Sequence, residues 1–182
     1  MNSKRITSSQ KEQEFHIEIN PYRNTGKSKL LLIWLVIWTF CGMIVFSQFF
    51  SNMSKEEKLY MAIWMAFWGY FEYAISKVYV WRKSGMEKII FKGEQMIHQI
   101  VNGKQKQEHS YFVESMIDLA CHEFGKNQLT DSMQSSYWVK GNECIFFNYM
   151  GSKKGVAFQL NKEEANQLLS LLVKEIKRRK QA

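Results

Sequence analysis

The chain has few of the residues and motifs from which chemistry is usually read. Among its 182 residues are three cysteines, Cys41, Cys121 and Cys144, an odd count without paired spacing, which argues against a disulfide framework. Cys121-His122 with Cys144 matches no zinc pattern, and adjacent ligands on a strand would point to opposite faces, so no metal is expected. Histidine is sparse and dispersed at positions 16, 98, 109 and 122, each expected to be a strand or surface side chain. The phosphate-loop, dinucleotide, zinc-protease and nucleophile-elbow motifs are all missing. No catalytic residue and no cofactor is therefore assigned, and the protein is not expected to be an enzyme.

Charge is missing over one long stretch. Residues 30–54, LLLIWLVIWTFCGMIVFSQFFSNMS, hold none in 25 positions, and 59–71, LYMAIWMAFWGYF, add 13 more. The mean hydropathy of −0.33 hides these two runs among polar segments. Leu30 to Phe50 would span about 31 Å as a helix, enough for one crossing. Ser54 and Glu57 form the capping box of a second helix, carrying the apolar pattern from about residue 55 to 81. A short loop between them predicts an antiparallel transmembrane hairpin over 30–81. Each helix carries two tryptophans four apart, in IWLVIW (33–38) and IWMAFW (63–68), suited to interfacial anchoring and helix packing. Gly42, Ala62, Ala66 and Gly69 are the small residues expected to let the helices approach.

Basic charge flanks the hairpin. Residues 1–29 carry six Lys/Arg against three acids (+3), 30–81 three of each (zero), and 82–182 sixteen against eleven (+5). Arg23, Lys27 and Lys29 before the first helix, and Arg82, Lys83 and Lys88 after the second, place both termini in the cytoplasm. Scattered basic residues without a recognition motif give no expectation of nucleic-acid binding. Glu72 and Lys77 stand near the cytoplasmic boundary of helix two; with Trp81, Arg82 and Lys83 they are the candidates for membrane-interface or partner contact.

From Met86 the pattern turns to period two. MEKIIF, QMIHQIV and QKQEHSYF read as successive strands, with Asn102-Gly103 as a type I′ hairpin signal. Further strands are expected in 114–124, 135–140, 142–150 and 156–160, with 125–135 a loop. Asn161 and Glu164 cap a last helix, about 162–180, whose Ala165, Leu168, Leu169, Leu172, Val173 and Ile176 form one buried face. Residues 1–13 read as disordered, and FHIEIN (15–20) as a strand able to pair with a sheet edge.

WRKSGMEKIIF (81–91) resembles the entry into bacterial membrane-anchored pleckstrin-homology-like (PH-like) domains. IFFNYMGSKKGVAFQLNKEEANQLLSLL (145–172) resembles their end, and WLVIWTFCG (34–42) a run often found in their first helix. Residues 104–142 carry no matching motif. The resemblance implies an α+β chain: a cytoplasmic N-terminal segment (1–29), a two-helix transmembrane hairpin (30–81) and a cytoplasmic PH-like domain (82–182), a small β-barrel or curved antiparallel sheet capped by the C-terminal helix. The expected place is the bacterial inner membrane, multi-pass, with the lipid bilayer and a membrane protein as partners. Weak contact with anionic lipid is expected through Arg82, Lys83, Lys153, Lys154 and the helix tail. The function expected is a membrane-anchored binding or scaffold protein; the alternative is an accessory subunit of a transport or export complex, using the hairpin as its contact.

Overall fold

A computed structural model describes residues 5–11, 13–51, 53–121 and 136–181. It divides into two compact units, one formed by residues 1–22 with 84–182 and the other by 23–83. The fold is mixed α+β, with eight strands and three long helices among the described residues.

The first unit holds two antiparallel sheets. Strands β1 (Ile6–Lys11), β2 (Glu14–Ile19), β3 (Met86–Lys92), β4 (Gln95–Asn102) and β5 (Gln105–Phe112) form one, in that order. A 3₁₀ turn, Val113–Ser115, leads into β6 (Met116–Cys121), which joins β7 (Glu143–Tyr149) and β8 (Ser152–Phe158) in the second. The expected barrel is not closed among the described residues: no ladder joins β5 to β6 or β8 to β1. The 3₁₀ turn ends one ladder before the next begins, and β6 is broken by a register shift between Ile117 and Ala120, where Asp118 is left-handed at φ 54°.

Alternation sets the core. Ile17 and Ile19 of β2, Ile89 and Phe91 of β3, and Met96 of β4 point inward with Ile145 and Phe147 of β7. Helix α3 (Lys162–Lys180) closes this core with Ala165, Leu168, Leu172 and Ile176, as its spacing predicts; Leu169 and Val173 are only half-buried. Both halves of its capping box form, Glu164 N donating to Asn161 Oδ1 at 2.7 Å and Asn161 N to Glu164 Oε2 at 3.0 Å. The loop expected over 125–135 and residues 122–124, His122 among them, lie outside the described residues; of the strand expected over 135–140, the described residues 136–140 form turns instead, and β7 begins only at Glu143.

The N-terminal segment departs from expectation. Residues 6–11, read as disordered, form β1 and pair with β2 throughout, while β2 pairs with β3 at the edge of the 86–112 meander, as its alternation allows. Arg5 explains part of this order. It is buried and donates to Asn20 O and Gln159 O at 3.0 Å and to Glu164 at 2.8 Å, tying the chain start to the cap of α3. A lone arginine in a polar segment gives no sequence signal of such a role.

The second unit consists of α1 (Thr25–Gln48) and α2 (Lys55–Ser84), starting earlier and ending later than the apolar runs. Asn24 caps α1 through Lys27 N at 2.9 Å, and the Ser54–Glu57 box starts α2. Contacts of Gly42 with Trp68, and of Thr39 with Glu72, make the pair antiparallel. Among the described residues α1 alone is long and apolar enough to cross a membrane, by length and composition, so the expected two-helix transmembrane hairpin is met by one helix. In α2, Tyr60, Trp64, Trp68, Tyr70, Tyr73 and Glu72 interrupt the aliphatic run.

Candidate functional site

The polar groups inside the helical unit form one constellation. Buried or half-buried positions recur at alternating steps of three and four: Leu31, Leu35, Trp38, Gly42 and Val45 on α1, and Met61, Met65, Trp68, Glu72 and Ile75 on α2. That 3.5-residue period is the seam of two helices packed knobs-into-holes. Trp68 lies over Gly42, where a Cβ would meet its ring at 2.1 Å, and donates from Nε1 to Trp38 O at 3.0 Å. One turn on, Thr39 Oγ1 lies 2.8 Å from Leu35 O and 2.7 Å from Glu72 Oε1.

Glu72 therefore faces the neighbouring helix, and its contact is a threonine hydroxyl. Lys77, the other candidate at this boundary, is exposed and stands 4.5 Å over the Tyr73 ring. Glu72 Oε2 and Trp38 Nε1 are buried without a hydrogen-bond partner among the described residues. Trp81 and Arg82 are buried, and neither presents the exposed contact surface expected of it. Lys83 is exposed, 6.0 Å from the Tyr79 ring centre.

Of the four small residues expected at the seam, the structure places one there. Ala62 and Ala66 are exposed, and a Cβ on Gly69 would meet nothing within 4 Å. Gly42 alone provides close approach, because the bulk of Trp68 fills the gap that small residues on α2 would otherwise close. On α2 it is Met61, Met65 and Trp68 that lie in the seam, while Ala62 and Ala66 face out.

The β unit contains a second buried polar cluster. Glu87 and His98 are 1% and 2% exposed, and His98 Nε2 lies 2.6 Å from Glu87 Oε1. The same carboxyl group accepts from Ala157 N at 2.7 Å and Phe158 N at 3.0 Å. It thus joins β3 of one sheet to the end of β8 in the other, where Ala157 and Gln159 take left-handed φ of 69° and 52°. An enzyme would have to bring substrate to these groups, and their burial prevents it. The sequence carried a signal for them: Glu87 shares parity with Ile89 and Phe91, and His98 with Met96, so both fall on the core face.

The basic residues expected to attract lipid are mostly occupied. Arg179 donates to Glu175, Phe91 O, Gly93 O and Gln13 O, and Lys180 to Met116 O at 3.1 Å. Lys153 lies over the Phe146 ring at 4.4 Å. No group of three or more His, Cys, Asp or Glu side chains suited to a metal occurs among the described residues. Neither a family model, nor a curated protein, nor a solved structure matches the chain.

Proposed function

We propose that this protein is a membrane-anchored binding or scaffold protein, in which the helical unit fixes a folded β unit at a lipid surface. The supporting observation is the outer surface of α1. Around its one covered seam, Leu32, Ile33, Val36, Ile37, Phe40, Met43 and Ile44 are all at least 42% exposed. In water, burying such a surface is worth about 25 cal/mol per Å², so a free helix of this kind would seek lipid or another protein. Because α2 packs along α1, it accompanies α1 into the bilayer and returns the chain to the side it left. The positive flanks make that side cytoplasmic. Presentation at a surface works through effective concentration and orientation, without a reaction. A PH-like function for the β unit, in a bacterial inner membrane, rests on the sequence resemblance.

The test is membrane fractionation with alkaline carbonate extraction of the full chain. Retention in the pellet supports an integral anchor; release into the supernatant overturns it. The second reading, an accessory subunit of a membrane complex, is favoured by α2. Tyr60, Tyr70 and Tyr73 are exposed on it, a face more polar than lipid alone requires. Copurification of a defined membrane complex, lost on Tyr70→Ala but kept on Glu72→Ala, would support that reading over the first.

A further inference from the structure

The strand register gives the five-stranded sheet two ends of different character. Ile19 pairs with Glu87, Met86 with Val101, and Val101 with Lys106. The chain therefore leaves β2 for α1, and returns from α2 into β3, at the same sheet end that carries the β4–β5 turn, Asn102–Lys104. Both connections are short: Asn24 already caps α1, and Gly85 alone separates α2 from β3. At no more than about 3.6 Å per residue, they hold this end close to the helix termini.

Of the basic groups singled out from sequence, Arg82 and Lys83 precede β3 at this tethered end, while Lys153, Lys154 and the helix tail are at the other. Arg179 reaches the β1–β2 and β3–β4 turns at Gln13 O and Gly93 O, and Lys180 reaches Met116 O. Met116 pairs with Tyr149, and Tyr149 with Ser152, which puts Lys153 and Lys154 beside that same far end.

On the tethered end, Gly103 is left-handed at φ 62°, and every residue from Gly103 to Ser110 is exposed. Lys104 and Lys106 extend from this turn; Lys106 shares Glu108 at 2.9 Å, leaving the tip net positive. We propose that the β4–β5 turn, through Lys104 and Lys106, is the protein's contact with anionic phospholipid headgroups. Basic side chains held within a Debye length of a negative leaflet are drawn to it, whereas those at the far end are screened. This inference rests on the membrane-anchor reading.

The experiment is hydrogen–deuterium exchange of the full chain in nanodiscs, comparing phosphatidylcholine alone with a phosphatidylcholine–phosphatidylglycerol mixture. Exchange of the 102–107 amides should slow several-fold in the anionic discs and stay unchanged at 150–154. Lys104→Glu with Lys106→Glu should abolish the difference while the rest of the exchange map is kept. Incorporated protein with no slowing at 102–107, or with slowing at 150–154 instead, overturns the inference alone. A chain that does not enter nanodiscs overturns the anchor reading and this inference with it.

Discussion

The two units bury opposite kinds of surface. In the β unit, apolar side chains turn inward, and the most buried acid, Glu87, meets His98 and two backbone amides. In the helical unit, apolar side chains turn outward. The acid in its seam, Glu72, has one oxygen against Thr39 and the other without a partner among the described residues. The contrast follows from solvent. Water drives the β unit to collect its apolar groups and then demands that each enclosed polar atom be paired. On the proposed membrane anchoring, a hairpin in lipid would gain nothing by hiding leucine, and its helices would be held by shape, as at Gly42 and Trp68, and by a few hydrogen bonds.

The sharpest way to break the β side of that comparison is Glu87→Ala. It leaves His98, Ala157 N and Phe158 N without their acceptor, and removing one member of a buried network of this kind costs about 3–5 kcal/mol. Urea unfolding of the full chain in detergent should show the β unit losing most of its stability. Glu87→Gln, which keeps the shape, should cost clearly less. If Glu87→Ala unfolds like wild type, the cluster does not join the two sheets.

The hairpin should fail by shape first. Gly42→Leu drives a side chain into the Trp68 ring and should cost about 1–3 kcal/mol of helix association. Gly69→Leu points into open space and should stay within about 0.5 kcal/mol. Thermal unfolding in detergent, followed by tryptophan emission, separates the two variants; equal effects would mean the seam lies elsewhere on α2. Thr39→Val is milder. Hydrogen bonds between membrane helices average about 0.6 kcal/mol in double-mutant cycles, and a cycle of Thr39→Val with Glu72→Gln should return a coupling of that size. A coupling of zero would separate Glu72 from Thr39.

How much of this was legible in the sequence follows the same divide. Local chemistry was readable: the Ser54–Glu57 and Asn161–Glu164 boxes, the β3–β4–β5 meander and the face of α3 all depend on near neighbours. The seam was not. Small residues on α2 suggested one face, but which face packs depends on Trp68 meeting Gly42, about 26 positions away along the chain. Arg5, likewise, is explained only by Glu164 and Gln159, more than 150 positions along the chain. That Glu72 would not pair strongly with Lys77 follows from helix geometry, which places the i+5 residue well round the helix; that the facing helix presents Thr39 does not.

Cysteine gives the smallest and most direct probe, since Cys41 of the helical unit and Cys144 of the β unit lie in opposite surroundings. Cys41 is exposed on α1, while Cys144 is buried on β7 and accepts from Leu160 N at 3.2 Å. Burial pushes the Cys144 thiol up to about 11 from an ordinary 9.0. The thiolate is the reactive form, so at pH 8 Cys144 should resist a water-soluble maleimide until the β unit unfolds, on grounds of both access and ionisation. The folded state holds this proton more tightly than the unfolded chain does. Its contribution is therefore complete below pH 9, declines as pH rises toward 11, and is lost above that. Cys144→Ala should remove that part of the alkaline loss of stability and leave the acid side unchanged. Rapid labelling of Cys144 in the folded protein at pH 8 would mean that the β unit opens far more readily than a core paired around Glu87 allows.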